Sequence, residues 1–326
     1  MQIDRGAVTL KSGEEARIYQ IVGPEPAWRD RILPFLAHKG PAFGYAMETA
    51  LDAGIAGLRT NFFELVLGDT IVGNITTVES LDPPVGILQH VFTLPDQRRK
   101  GICQALMRVL CEDFRARGGR ALYLGTGYDT PPYWIYHSFG FRGLGETGYM
   151  RWVLEEDFDA RYFASGEVTV RDSDWPDWPL LEALYLTEEG WYLRSLRFGG
   201  YGFCSYEGPY VALAALQREG VVPQSKVLVN AGGAVVGHAM LSPQDQWRGK
   251  PWLLDCFVHP ACEDRTAALL GAIEYPADRK TQCYCDAEAT ARMAALDAAG
   301  FTREAVLPRQ IARGDEWLDV IVYSRG

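Results

Sequence analysis

The stretch LPDQRRKGICQALM, residues 94–107, joins a predicted strand to a predicted helix. Three cationic side chains, residues 98–100, and then Gly101 stand directly before the first helical turn. A helix amino terminus presents free N–H groups and the positive end of its dipole, and glycine lets a ligand approach the backbone closely. The stretch therefore predicts a binding site for a phosphate or diphosphate.

The segments on either side of this stretch predict an α/β sheet. FFELVLGDTIVGNITTV, residues 62–78, is a predicted hairpin with its turn at Gly68-Asp69. GILQHVFTL (86–94) and ALYLG (121–125) are predicted strands on either side of the helix. A strand–helix–strand connection of this length predicts a right-handed crossover between two parallel strands.

The second half of the chain repeats this order of elements. A hairpin is predicted over 226–241, a strand over 252–258 and a helix after it. With a linker at about 155–166, the pattern predicts two domains, 1–155 and 166–326. The fold class is predicted as α/β (α+β), with a central mixed, mostly antiparallel sheet flanked by helices in each domain.

Composition limits the possible partners of this chain. It has 326 residues, a net charge of −10 and seven cysteines, an odd number without any CxxC pair. The acidic balance disfavours nucleic acid as a partner, and the cysteine pattern favours reduced thiols and no structural metal. The sequence has no apolar run of membrane-spanning length and no signal-peptide pattern at its start, so we expect a cytoplasmic protein that does not bind membranes. Monomer and homodimer both stay open.

Two motifs carry a resemblance to a known family. Residues 98–103, RRKGIC, resemble the pyrophosphate loop [Arg/Gln]-x-x-Gly-x-[Gly/Ala] of the GCN5-related N-acetyltransferases (GNAT), with Cys103 where the family has Gly or Ala. YHSFGF (136–141) resembles the family's Tyr-x-x-x-Gly-Phe segment. The resemblance covers about the first 155 residues well and the rest more loosely, which implies tandem GNAT-like domains.

The resemblance implies that acetyl-CoA is the co-substrate, bound in a V-shaped split between the strand ending near Thr93 and the strand 121–126. The backbone of the first strand would bind the pantetheine arm and the acetyl carbonyl, and the loop would hold the pyrophosphate. The residues implied are Val91, Phe92 and Thr93 on the strand and Arg98, Arg99, Lys100, Gly101, Ile102 and Cys103 in the loop.

The resemblance also implies direct attack by an amine, with Tyr136 protonating the departing thiolate. The amine must first lose a proton, and His90 is the first candidate base because its pKa lies near neutrality. Glu64 on the predicted hairpin is the second candidate, and Asp129 is a candidate for binding a cation. For Tyr136 and His90 the alternative is a purely structural role, in core packing or as a satisfied histidine.

The second copy departs from these motifs. Aligned on its proline, the loop of the second half contains Glu263 and Asp264, and Thr266 replaces the glycine. Leu296 stands opposite Tyr136. Carboxylates oppose a diphosphate by charge, and a side chain in place of glycine opposes it by sterics. We therefore predict that the second domain is non-catalytic.

The first hypothesis for function is an N-acetyltransferase acting on a small, cationic amine. The alternative is a non-catalytic acyl-CoA-binding sensor or scaffold, which would have no turnover to lose when Tyr136 is replaced. A third possibility is a thiol-dependent acyltransferase, because a helix start can lower the pKa of a cysteine such as Cys103.

Overall fold

The chain folds into two compact units that each contain one large mixed sheet. The computed structural model describes residues 1–222, 224–244 and 246–326. The first unit comprises Met1–Phe158 and Trp175–Glu182, and the second Asp159–Asp174 and Ala183–Gly326. Two mixed sheets with flanking helices confirm the predicted α/β class.

The first unit is built on an eight-stranded sheet within residues 1–158, all of which are described. Its strands are β1 (Gln2–Thr9), β2 (Glu15–Val22), β3 (Leu58–Leu67), β4 (Thr70–Ser80), β5 (Val85–Thr93), β6 (Ala121–Gly125), β7 (Arg142–Gly143) and β8 (Tyr149–Val153). They lie in the order β1-β2-β3-β4-β5-β6-β8-β7. Its helices are α1 (Arg29–Phe35), α2 (Pro41–Asp52), α3 (Ile102–Ala116) and α4 (Pro131–Ser138).

Two short helices lie near the boundaries between the units in sequence, α5 (Phe158–Tyr162) and α6 (Asp177–Tyr185). The first of them falls inside the segment predicted to be a linker. Phe158 and Tyr162 are buried, and their spacing of four residues places both side chains on one face of the turn. The packing of these aromatic side chains orders the segment as a helix.

The second unit has a seven-stranded sheet among its described residues. Its strands are β9 (Val168–Asp172), β12 (Gln224–Asn230), β13 (Val235–Pro243), β14 (Trp252–Val258), β15 (Thr281–Asp286), β16 (Thr302–Arg313) and β17 (Glu316–Arg325), with a separate hairpin of β10 (Leu193–Ser195) and β11 (Gly200–Tyr201). The sheet order is β16-β17-β15-β14-β13-β12-β9. The helices are α7 (Glu207–Arg218), α8 (Thr266–Gly271) and α9 (Thr290–Ala298).

Both sheets follow the same strand order, apart from the additional β1 at the edge of the first. Each has one parallel pair among its described strands, β5 with β6 and β14 with β15, and the other pairs are antiparallel. The predicted crossover over α3 is therefore confirmed as a parallel connection. Strand β1 was not predicted, because its mostly exposed sequence QIDRGAVT lacks a clear apolar alternation.

The first sheet has a separate hydrophobic cluster on each face. Phe63 and Leu65 of β3 pack with α3, where Ile102, Leu106 and Leu110 form the buried stripe. Phe62 faces the other way and packs with helices α1 and α2. Because side chains alternate along a strand, this parity also assigns Glu64 to the face of α1 and α2.

Candidate active site

A gap in the first sheet opens between its two parallel strands. Pairing of β5 with β6 runs only from Val85↔Ala121 to Ile87↔Tyr123, although β5 continues to Thr93. At His90 the ladder between β5 and β4 shifts register, and the residue has a φ of 54°. A bulge bends its strand away from its neighbour, so the outer half of β5 turns its backbone groups toward the gap.

The loop after β5 leads into an exposed helix start. Gly101 caps α3 in the left-handed conformation, with φ 87° and ψ 6°, and Arg99 also has a positive φ of 66°. The first intrahelical bond runs from the Ala105 N–H to the Gly101 carbonyl at 3.0 Å. The N–H groups of residues 102–104 therefore point out of the helix start without an intrahelical acceptor, as an anion site requires.

The cationic side chains of this loop have different surroundings. Arg98 and Arg99 are exposed, and the Arg98 Nε donates to the Thr93 carbonyl at 3.4 Å. The Lys100 Nζ lies 2.8 Å from the Glu14 Oε2, and this contact lowers the pKa of the Glu14 carboxyl. The charge of Lys100 is therefore partly offset, which leaves the two arginines as the freer cations.

A further lysine, which the sequence did not point to, joins this loop. The Lys11 N–H, in the turn between β1 and β2, donates to the Lys100 carbonyl at 3.1 Å. The Lys11 side chain passes 3.5 Å from the position that a Cβ on Gly101 would take. The β1–β2 hairpin thus adds a fourth cation, and sequence inspection missed it because β1 itself was not predicted.

Tyr136 lies on the α3 side of the sheet. It is 5% exposed and belongs to the hydrophobic cluster around α3, with its ring 6.2 Å from that of Phe141. Burial raises the pKa of the Tyr136 phenol, and the neighbouring Cys103 raises it further. The phenol is therefore protonated at neutral pH. Burial also raises the pKa of Cys103 to about 11, which opposes formation of a nucleophilic thiolate.

Glu64 lies on the opposite face, beneath α1 and α2. Its side chain has no exposed surface, and neither carboxylate oxygen has a hydrogen-bond partner within the described part of the chain. Burial raises the pKa of this carboxyl well above its usual value, while the positive charge of Arg31 lowers it. Asn74 lies directly opposite on β4, and its Oδ1 also has no partner there.

His90 is buried on the same face as Glu64. Its ring meets the edge of Phe43 at a centroid distance of 5.0 Å. Burial lowers the pKa of the imidazole to about 3, with contributions from Lys39 and His38. The ring is therefore neutral at pH 7, but its low pKa makes it a weak base.

A cavity of about 10 Å³, room for one water, adjoins His90 and Gln89 and is closed by Trp178. The His90 Nε2 and the Gln89 Oε1 have no hydrogen-bond partner among the described residues. Trp178 comes from the segment 175–182, which belongs to this unit. Sequence inspection did not connect Trp178 with His90.

Asp129 lies in the loop after β6 with a φ of 55°. Its Oδ1 accepts a hydrogen bond from the Trp134 Nε1 at 2.9 Å, and its side chain is exposed. The carboxylate is held at the α4 end of the gap, away from the buried carboxyl of Glu64.

The structure thus divides the predicted residues between the two faces of the sheet. Val91 and Tyr136 pack on the α3 side, whereas Phe92 packs against Phe35 and His38 on the other. Glu64 and His90 share that second face. The gap between β5 and β6 is the place where a molecule lying in the sheet can meet groups from both faces.

In the described residues, no cluster of three or more His, Cys, Asp or Glu side chains is placed to hold a metal ion. None of the described helices is both long enough and apolar enough to cross a membrane.

The comparison with known families decides the class of this site. Residues 32–141 match the acetyltransferase (GNAT) family. This segment is similar to a GNAT acetyltransferase domain. The match indicates an acyltransferase of the N-acetyltransferase type in this segment, and acetyl-CoA is the co-substrate of this family. The matched region contains the gap, the cationic helix start and Tyr136.

Solved structures with similarity to this chain include three acetyltransferases. A ribosomal-protein-alanine N-acetyltransferase from Brucella melitensis shares 19% identity over 48% of this chain and 98% of its own, with a TM-score of 0.39. A phosphinothricin acetyltransferase from Sinorhizobium meliloti, in complex with acetyl-CoA, shares 17% identity over 48% of this chain and 87% of its own, with a TM-score of 0.39. An N-acetyltransferase from Staphylococcus aureus Mu50 shares 15% identity over 49% of this chain and 98% of its own, with a TM-score of 0.40. No curated protein sequence matches the chain.

Proposed function

We propose that the first unit transfers the acetyl group of acetyl-CoA to a small, cationic amine by direct attack, with Tyr136 as general acid. The observation that carries the proposal is the gap beside β5 with a cationic helix start at its mouth. An extended thioester arm fits an unpaired strand edge, and a diphosphate fits the start of a helix.

The loop residues are suited to a diphosphate by both shape and charge. The left-handed Gly101 aims the N–H groups of residues 102–104 outward. Arg98, Arg99 and Lys11 add positive charge around them. Val91, Phe92 and Thr93 would offer backbone groups to the pantetheine arm, as the outer half of β5 has no strand partner on the β6 side.

The chain supplies the acid and the base that acetyl transfer to an amine requires. The amine nitrogen bonds to the acetyl carbonyl carbon of acetyl-CoA, and the carbon–sulfur bond breaks to release a thiolate. Tyr136 keeps its proton at neutral pH because its pKa is raised, so it is in the donor form when the thiolate departs. The proton that the amine loses must pass to a base on the acceptor side.

Glu64 is the better placed base of the two candidates. A carboxylate whose pKa is raised by burial accepts a proton more effectively than an imidazole whose pKa burial lowers to about 3. Two oxygens of Glu64 and one of Asn74 are buried acceptors without donors. An ammonium group has three donors and no acceptor, so a cationic amine matches this set.

We infer that the acceptor enters from the side of α1 and α2, which pack on the same face as Glu64. Glu64 has no exposed surface, and the short 3-10 turn Ala37–Lys39 with Gly40 connects the two helices above it. Phe35, His38 and Phe92 line this approach with aromatic rings, which attract cations through their faces. We infer that movement of this connection admits the amine.

The second unit is proposed to be non-catalytic. Its helix α8 has only six residues, and the loop before it places Glu263 and Asp264 where the first unit has cations. Arg292 is completely buried, and its Nη1 donates to the Leu193 carbonyl at 2.9 Å and its Nη2 to the Cys283 Sγ at 3.4 Å. Leu296 is buried where the first unit has Tyr136.

The test is a thiol-release assay with acetyl-CoA and a panel of small molecules in matched pairs, each amine against the alcohol or carboxylate of the same skeleton. Turnover confined to amines, with KM falling as positive charge is added to the acceptor, supports the proposal. Tight CoA binding without thiol release for any amine would instead favour the sensor function.

A further inference from the structure

A second cavity lies within the carboxyl-terminal unit. Its volume is about 560 Å³, which falls in the range of small-molecule sites. The floor is aliphatic and is formed by Leu193, Leu196, Leu253, Leu307, Ile311 and Val320. Transfer of an apolar ligand from water onto an aliphatic surface is favourable.

The rim of this cavity exposes aromatic surface. Trp247 is 59% exposed and Tyr201 is 42% exposed, and both line the opening together with Phe198. Exposed large apolar side chains gathered around one hollow mark an interaction site more often than isolated ones do. Their rings suit the flat body of an aromatic or polycyclic ligand.

One cation defines the polar chemistry of the cavity. Arg197 is the charged side chain among the described lining residues, and no Asp or Glu is among them. Its Nη1 donates to the Pro243 carbonyl at 3.0 Å, which holds the guanidinium at the wall, and no acidic partner is found for it in the described residues. The Nε and Nη2 donors remain available for an anion.

The position of Arg197 is fixed by a buried carboxylate. Asp255 on β14 accepts hydrogen bonds from the backbone N–H groups of Leu196 at 2.8 Å and Arg197 at 3.0 Å. It also accepts one from the Ser195 Oγ at 2.8 Å. These bonds anchor the β10–β11 hairpin against the sheet, so the guanidinium is held in place before a ligand arrives, which lowers the entropic cost of binding.

We propose that this cavity binds a small carboxylic acid with an apolar, aromatic-sized body, whose carboxylate pairs with Arg197. The site differs from a coenzyme cleft in this unit. The cavity contacts β14 at Leu253, the second residue of the strand. The position that corresponds to the gap of the first unit is the other end of β14, at Val258. At 3.3 Å per residue, the two positions are about 17 Å apart. The anionic ligand also separates this site from the cationic acceptor of the first unit.

The probe is 8-anilinonaphthalene-1-sulfonate, an apolar anion that fluoresces when it leaves water, titrated into the full chain with CoA present. The expected result is saturable binding at one site, displaced by indole-3-acetate and not by tryptamine. Absence of saturable binding, or equal displacement by the amine, would overturn the proposal.

Matched variants locate the probe. Leu307→Trp places a large ring in the cavity and should abolish binding, whereas Val306→Trp, on the same strand but 41% exposed and outside the lining, should leave it unchanged. Arg197→Gln should weaken binding about tenfold, the loss expected for a charge-assisted hydrogen bond, and the exposed Arg303→Gln should not. Equal affinity in all four variants would contradict the site, and a melting temperature for each confirms that it is folded.

Discussion

Glu64 and Asn74 face each other across β3 and β4 in the interior of the first unit, and their side-chain oxygens accept no hydrogen bond from the residues described. The Asn74 Nδ2 instead donates to the His90 carbonyl at 2.7 Å, which ties the pair to the bulge of β5. A buried carboxyl without a donor lowers the stability of a protein. Its presence beside the proposed acetyl site is explained if a substrate supplies the donors.

Glu64→Gln is expected to lower kcat/KM for amine acetylation by about 100-fold or more, because the replacement removes the proposed base, whose contribution is typically 10²–10⁴-fold. The wild-type rate should rise with pH as this carboxyl, whose pKa is raised, loses its proton. The rate of the variant should not show this rise. Glu48→Gln, on the more exposed surface of α2, is the control. An unchanged pH profile in the Glu64 variant would rule out this role.

The same variant makes a prediction for stability. The folded-state pKa of Glu64 lies above its unfolded value, so ionisation destabilises the fold as pH rises from about 4.5 upward. Glu64→Gln should therefore raise the melting temperature at pH 7 relative to wild type and change it little near pH 4. A melting temperature that falls equally at both pH values would indicate a structural role.

Tyr136→Phe is expected to lower kcat by about 10²–10³-fold and leave the affinity for CoA within a factor of two, since only the proton donor is lost. The buried ring and its packing with Phe141 are kept. Tyr128→Phe, at an exposed tyrosine in the loop after β6, is the matched control. Steady-state kinetics and calorimetric titration of CoA separate the two effects, and equal turnover in both variants would contradict the assignment.

The double variant Arg98→Glu, Gly101→Glu is expected to abolish CoA binding at micromolar concentration. It reverses the charge at the helix start, and it places a side chain at position 101, where the diphosphate must approach the backbone. Arg108→Glu, exposed further along α3, tests whether net charge alone matters. Titration of CoA by calorimetry gives the comparison. Wild-type affinity in the double variant would remove the basis of the coenzyme site.

Gly101→Ala and Gly118→Ala form a matched pair at the two ends of α3. Both glycines have positive φ, 87° and 77°, so each alanine should destabilise the unit by about 1–2 kcal/mol. Only Gly101→Ala should also weaken CoA, since Gly118 lies beyond the far end of the helix. Thermal unfolding measures the first effect, and CoA titration the second. Equal loss of CoA affinity in both variants would attribute the effect to stability alone.

Elements that depend on neighbouring residues could be predicted from the sequence. The strand, the turn with its three cations and Gly101, and the helix after it are contiguous, so local propensity and periodicity were sufficient to predict them. The same argument applied to the second half, where the repeated order of elements predicted a second sheet.

Only the tertiary structure brought together residues that are distant along the chain. Lys11 reaches Gly101 because an edge hairpin, too polar to be recognised as strands in full, pairs beside the helix start. Glu64 meets Asn74 because the register of β3 and β4 aligns them, and Trp178 closes the cavity at His90 from a segment beyond the predicted linker. These contacts depend on strand register and on packing between remote elements, which a one-dimensional pattern does not encode.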